Sequence, residues 1–231
     1  CLFDSTIPSG GGASSSSALV TLSVVAFLLS NGHAFKKADL VQISGEAEWY
    51  VGTRGGSMDH ATQLLARSDS TLCLNYHPFS SELAPNLPEG YVLVTAFTEV
   101  ADKSVAVLDA FNELAHVQQQ VIPAALPNDW MVMDPESVAA GLPEMIDGMR
   151  IRDRFRFVLR EHSRSNALLE ALSAGDGGRI GQIFDEAFND TRELLGTHTD
   201  VVERVAAELR SRDGVKGVKL MGAGFGGLLL A

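Results

Sequence analysis

Two carboxylates, Glu48 and Asp59, stand eleven residues apart on either side of a glycine-rich turn, Gly52-Thr53-Arg54-Gly55-Gly56. Such a turn can fold Asp59 back beside the segment that carries Glu48. One carboxylate is then placed to hold a metal and the other to handle a substrate proton. Taken alone, Asp59 reads as a helix-start residue stabilised by the helix dipole. The run Pro8-Ser9-Gly10-Gly11-Gly12-Ala13-Ser14-Ser15-Ser16-Ser17-Ala18 offers a different chemistry. Glycines let a backbone approach a ligand closely and take positive φ. The first turn of a helix adds unpaired N–H groups and the positive dipole end, which together suit a phosphate. Serine hydroxyls at that turn can add hydrogen bonds or a ligand to Mg²⁺. No Lys follows in the Walker A pattern, and a capped helix after a flexible loop is the plain alternative. A second glycine loop, Gly222-Ala223-Gly224-Phe225-Gly226-Gly227, points to a close backbone approach or to a glycine-rich β-turn.

These residues need elements to position them. Ala18 to Leu29 is apolar nearly all round and is followed by Asn31-Gly32, which predicts a buried helix fed by the Gly/Ser run. A second helix is expected from about Lys37 to Tyr50. A third is expected from Ser57 or Met58, with Met58, Ala61, Leu64 and Leu65 at helical spacing. Thr71–Tyr76 and Tyr91–Phe97 read as strands, joined by the turn-rich Pro85–Gly90. Asp102–Val121 reads as a long helix broken by Pro123 and Pro127. The Arg150–Ala174 segment reads as helix and carries Arg150, Arg152, Arg154, Arg156, Arg160 and Arg164. Their even spacing spreads them around the helix, so a solvated face interleaved with Asp153 and Glu161 is the preferred reading over an anion site. Helices over about Arg179–Asp190 and His198–Arg212 follow, then strands over Val215–Met221 and at the chain end.

Composition removes several function classes. The 231 residues carry 18 Lys+Arg against 29 Asp+Glu, a net charge of −11. So acidic a chain has no basic surplus with which to displace phosphate counterions, and nucleic acid is not expected as a partner. The same charge argues against docking on an anionic membrane. The longest apolar stretch, Ala18–Leu29, is too short to span a bilayer, and no cationic segment precedes it as in a signal peptide. Two cysteines, Cys1 and Cys73, form neither a disulfide framework nor a Cys-only zinc site, which fits a cytoplasmic location. The chain starts at Cys1 without Met and ends in the apolar run Leu228-Leu229-Leu230-Ala231, so both ends are expected to continue.

The order of the three motifs resembles that of the GHMP small-molecule kinases, and within them the galactokinase group. Residues 8–17 resemble the family's phosphate motif, Pro-x-x-x-Gly-Leu-Ser-Ser-Ser. Glu48–His60 is similar to Glu-x-Tyr-Val-Gly-x-x-Gly-Gly-x-Met-Asp-Gln. Residues 221–227 resemble Thr-Gly-Ala-Gly-Phe-Gly-Gly. The resemblance runs from residue 5 to the end, with specific motifs and a loose middle. Ala13 replaces Leu, His60 replaces Gln and Met221 replaces Thr. The family's first motif, which supplies an Arg and most sugar contacts, is absent and expected upstream of Cys1.

The resemblance implies an α/β, two-domain kinase fold with its active site between the domains. Residues 1–68 would belong to the ATP-binding domain, and residues 69–231 would form an α+β domain. Thr71–Tyr76, Tyr91–Phe97, Val215–Met221 and the last strand would share one sheet. It implies an ATP-dependent sugar 1-kinase acting on galactose or a close analogue. Asp59 would be the catalytic base and, with Gly56, would contact the sugar. Ser16 and Glu48 would hold Mg²⁺. Gly10, Gly11, Gly12, Ser14, Ser15, Ser16 and Ser17 would wrap the ATP phosphates, with Gly222, Gly224 and Gly226 lining the cleft from the other domain. The expected partners are the sugar and ATP, and a monomer is expected. Two other readings stay open: a non-catalytic sugar and nucleotide sensor, and a kinase for N-acetylgalactosamine or arabinose.

Overall fold

The computed structural model describes residues 2–7, 12–51, 55–76, 79–101, 104–121, 124, 134–146 and 148–231. Contacts divide the chain into two compact units, residues 1–86 and 87–231.

In the first unit, α1 (Ser15–Ser30), α2 (Lys37–Glu48) and α3 (Met58–Leu65) pack together, followed by an antiparallel hairpin of β1 (Thr71–Tyr76) and β2 (Phe79–Ala84). The core is Leu40, Val41, Ala61 and Leu64, against which Val24, Val25, Leu28, Phe35, Leu65 and Leu74 pack. The α3 helix forms because its apolar residues fall on one stripe while Met58 and the Asp59 carboxylate sit at its start. A one-turn 3₁₀ helix, Trp49–Val51, continues α2.

The expectation of a fully buried first helix is corrected. Leu19, Leu22, Phe27 and Leu29 of α1 are 49, 53, 67 and 63% exposed, and its buried residues are Ser17 and Thr21. An apolar segment without periodicity does not specify which flank meets its neighbours. Here the flank that carries the hydroxyls turns inward, and Ser17 meets Glu48 there.

In the second unit β3 (Thr95–Glu99) opens an antiparallel sheet of order β3-β5-β4, with β4 (Lys219–Leu220) and β5 (Gly227–Leu230). Between β3 and β4 run α4 (Val105–His116), a π-turn over Val117–Val121, α5 (Pro135–Ala140), α6 (Ile151–Ala174), α7 (Gly177–Asp190) and α8 (Asp200–Arg210). Three apolar clusters hold this unit. Phe155, Ile151 and Leu159 of α6 pack with Val117 and Ala139. Phe188, Val202, Ala206, Val218, Leu220 and Leu229 join α7 and α8 to the sheet. Ala171, Leu172, Ile180, Ile183 and Phe184 join α6 to α7.

Three further expectations change. Thr71–Tyr76 pairs with Phe79–Ala84 and not with the C-terminal strands. The strand expected at Tyr91–Phe97 lies at Thr95–Glu99, although Val94 exchanges both backbone hydrogen bonds with Ala231, at 2.8 Å each. The arginines of α6 are only in part a solvated face: Arg150 is exposed and Arg160 partly so, and Asp153 and Glu161 pair with Arg150 and Arg164, but others are buried. Arg154 is buried and donates to Glu113 at 3.0 Å and to the Leu194 carbonyl at 2.5 Å. Arg160 bridges Glu136 and Asp190, and Arg164, also buried, reaches the other oxygen of Asp190 at 2.6 Å. Arg152 donates to the Leu142 carbonyl at 2.8 and 3.0 Å. For Arg154, Arg156, Arg160 and Arg164, partners twenty or more residues away in sequence tie the helix into the unit, which local spacing cannot reveal. Paired in this way, the guanidiniums are not a free anion site.

Candidate active site

In the first unit, the sequence builds the site from three helix ends. The α1 helix begins after Ser14, which takes a left-handed conformation (φ 56°, ψ 39°), and Gly12 is also at positive φ. Its first turn carries no acid. Among the described residues no side chain caps its first N–H groups, the condition for an anion site. Ser14, Ser15, Ser16 and Ser17 line that turn. Gly10 and Gly11 lie outside the described residues.

The end of α2 brings Glu48 to α1. Ser17 Oγ donates to Glu48 Oε2 at 3.1 Å. Ser17 is 2% exposed, whereas Ser16 faces solvent. The structure thus places Ser17, the neighbour of the expected Ser16, beside Glu48. The carboxylate also meets His60, whose Nε2 lies 3.5 Å from Oε2. His60 is 1% exposed and was not expected as a site residue. The signals in the sequence were its place next to Asp59 and its standing where the resembling motif has Gln.

The start of α3 carries Asp59 in its first turn. Gly45 lets α2 and α3 approach: a Cβ at Gly45 would stand 2.9 Å from Ser57 Cβ. The turn that bears Asp59 and the helix that bears Glu48 are thereby locked together. Gly56 has open space where a Cβ would be. On β1, burial pushes the Tyr76 phenol up to about 12, the Asp59 charge adding to the rise and a hydrogen bond with Ser57 opposing it. Tyr76 therefore shares the electrostatic surroundings of Asp59, a neighbour that sequence reasoning missed because β1 was assigned to another sheet.

The chemistry of the donors suits Mg²⁺. The ion takes oxygen ligands and is held through one or two carboxylates together with substrate phosphates. Glu48 would supply the carboxylate, to which the Ser17 hydroxyl is hydrogen-bonded. Among the described residues no group of three or more His, Cys, Asp or Glu forms a metal cage.

The second unit holds the other glycine loop, which joins the antiparallel strands β4 and β5. Gly222, Gly224, Phe225, Gly226 and Gly227 all have positive φ. Two glycines are forced by the protein itself. A Cβ at Gly224 would lie 2.6–2.8 Å from Thr197, and one at Gly226 would lie 3.0–3.2 Å from Glu99 and Ala101. Gly222 and Gly227 have nothing within 4 Å of that position. Phe225 N–H donates to the Thr197 carbonyl at 2.7 Å, and Thr98 Oγ1 donates to the Gly227 carbonyl at 2.8 Å.

The support for this loop includes His198, next to Thr197. Its ring lies 2.7 Å from Glu203 Oε1 and 2.8 Å from Thr191 Oγ1, and it packs on Phe188. Burial lowers its pKa below the usual 6.5, outweighing the opposing contact with Glu203; Arg192 and Arg210 add to the lowering. The unfolded chain therefore binds this proton more tightly than the folded one. Its contribution to stability falls as pH drops below 6.5. The loss in Tm between about pH 7.5 and about pH 5.5 should be smaller for His198→Gln than for the parent. Equal losses by calorimetry would remove His198 from the account.

A family model described as the GHMP kinases N terminal domain matches residues 1–67. A galactokinase of Thermotoga maritima is 27% identical over 224 residues, covering 96% of this chain and 62% of that protein. A galactokinase of Thermosipho africanus is 28% identical over 228 residues, covering 97% and 62%. A galactokinase of Dictyostelium discoideum is 36% identical over a shorter stretch of 93 residues. The chain spans 62% of the length of the Thermotoga and Thermosipho relatives. The fold matches that of a solved structure, Lactococcus lactis galactokinase complexed with galactose, at a TM-score of 0.84 and 21% identity, over 97% of this chain and 58% of that one. Among the described residues no helix is long and apolar enough to cross a membrane.

Proposed function

For this chain, which belongs with the galactokinase group of the GHMP kinases, we propose that the whole protein is an ATP-dependent sugar 1-kinase acting on galactose or a close analogue. The observation that carries this is the junction of three helix ends. An uncapped helix N-terminus, a carboxylate hydrogen-bonded into its first turn, and a second carboxylate at the start of the packed helix α3 make one polar corner.

The roles follow from the chemistry. The N–H groups and serines of the α1 turn, with Gly12 and the preceding glycines, bind the phosphates of ATP. Glu48, beside Ser17, is the protein's ligand to Mg²⁺, which when bound neutralises charge on the phosphates. Asp59 accepts a hydrogen bond from the anomeric hydroxyl and takes its proton. The hydroxyl oxygen bonds to the γ-phosphorus as the bond to the ADP oxygen breaks. Little covalent work is asked of the protein, since positioning and charge stabilisation carry phosphoryl transfer. The loop Gly222–Gly227 belongs to the same function through its second-unit scaffold.

The test is ADP release by the full-length protein with Mg-ATP and, in turn, galactose, N-acetylgalactosamine, arabinose, glucose and no sugar. Sugar-dependent release with galactose above the others is expected. Release with another sugar moves the substrate and keeps the reaction. Mg-ATP binding with no release on any sugar overturns the kinase in favour of a sensor.

A further inference from the structure

His60 is placed where a core residue would serve at lower cost. Its imidazole is 1% exposed, and among the described residues neither ring nitrogen has a hydrogen-bond partner. A buried polar group left unpaired keeps the cost of its lost hydration, a penalty a leucine would not incur. Four buried side-chain atoms among the described residues lack a partner, and three of them are Ser44 Oγ, His60 Nδ1 and His60 Nε2. Ser44 stands one turn before Glu48 on α2. The unpaired atoms therefore gather on the two helices that carry the carboxylates. The two helices are in close contact here through Gly45 and Ser57, with His60 Nδ1 3.9 Å from the Gly45 Cβ position.

Within this corner His60 faces the carboxylate of Glu48. The Nε2–Oε2 separation of 3.5 Å is a close polar contact outside hydrogen-bond geometry. A few tenths of an ångström convert it into one. Oε2 already accepts from Ser17 on its other side at 3.1 Å. Oε1 takes no hydrogen bond among the described residues.

We propose that His60 is a positioning residue for Glu48: with Ser17 it fixes Oε2 and leaves Oε1 as the free ligand atom for the divalent cation. This rests on the reading of Glu48 as the Mg²⁺ ligand. Carboxylate ligands are commonly held by such outer partners, whose removal costs about 10- to 100-fold in metal affinity.

The test uses Mn²⁺ as probe with a non-hydrolysable ATP analogue on the full-length protein, free Mn²⁺ being read by electron paramagnetic resonance. His60→Leu should weaken Mn²⁺ binding about 10- to 100-fold while metal-free nucleotide affinity holds. His60→Gln keeps a donor N–H at similar reach and should bind close to the parent. Glu48→Gln should bind Mn²⁺ at least as weakly as His60→Leu. Parent-like binding by His60→Leu, with Glu48→Gln weakened, overturns the role of His60 alone. His60→Gln as weak as His60→Leu also overturns it, since packing and not the donor would then matter. Unchanged binding by Glu48→Gln overturns the metal reading and this inference together. Should His60→Leu fail to fold, the parent protein decides. The His60 ring nitrogens should shift in ¹⁵N spectra when Mg²⁺ joins the bound nucleotide, and unmoved signals overturn the proposal.

Discussion

Asp59→Asn in the full-length protein should cut sugar-dependent ADP release by about 10²- to 10⁴-fold, the range that general-base catalysis contributes. Binding of Mg-ATP should stay at the parent level, because Asp59 is assigned to the sugar hydroxyl and Glu48 to the metal. The fold should survive. His60, Ala61 and Leu64, the buried residues of α3, are untouched, and the change removes only a charge from the first turn. That loss is worth about 0.3–1 kcal/mol at a helix N-terminus, or a few degrees in Tm for a chain of this size. The two effects are well separated in magnitude, so activity and stability can be read on the same sample. Retained turnover removes Asp59 from the chemistry. Lost nucleotide binding with lost turnover assigns it to the phosphate site instead.

What the sequence made legible was local. The α3 helix and its Asp59 were readable because Met58, Ala61 and Leu64 repeat at helical spacing just after a glycine turn. The start of α1 was readable for the same kind of reason: a serine run followed at once by an apolar segment. Which side of α1 faces inward was not readable. Leu19, Leu22, Phe27 and Leu29 are exposed while Ser17 and Thr21 are buried. That arrangement is set by Glu48 arriving from α2, a contact thirty-one residues away in sequence. The β2 strand escaped notice because Phe79-Ser80-Ser81-Glu82-Leu83-Ala84 has no β-branched residue and stays mostly exposed on its hairpin. The arginines of α6 were misplaced because their partners, Glu113, Glu136 and Asp190, come from three other parts of the fold. Spacing along one helix reports on i, i+4 neighbours and is silent on such pairs. At the candidate site the same limit hid His60. Its position beside Asp59 was visible, but its burial against Glu48 depends on the Gly45–Ser57 approach, which is a property of two helices and not of either one.

Close backbone approach also sets the largest expected stability effect, at Gly217. This residue leads into β4, and a Cβ there would lie 1.9 Å from the Gly181 carbonyl oxygen of α7. In the reverse direction, a Cβ at Gly181 would lie 2.2 Å from the Lys216 carbonyl oxygen. Two main chains occupy the space, so no rotamer change relieves the clash. Relief requires α7 to move off the strand. That movement opens the cluster of Phe188, Val202, Val218, Leu220 and Leu229, and it releases Val218 N–H from Asp185, 3.1 Å away. Overpacking in a core costs about 1–3 kcal/mol when side chains can give. Against backbone the cost of Gly217→Ala should be about 3 kcal/mol or more, a drop of about 10 °C in Tm. Gly214 separates the steric cause from glycine's backbone freedom. It sits at φ +92° with nothing within 4 Å of a Cβ. Gly214→Ala therefore carries only the positive-φ penalty of about 1–2 kcal/mol. Calorimetry on both variants should rank Gly217→Ala as the more damaging. If Gly217→Ala melts with or above Gly214→Ala, α7 does not rest on the strand through its backbone, and the seat of the β4–β5 glycine loop must be sought elsewhere.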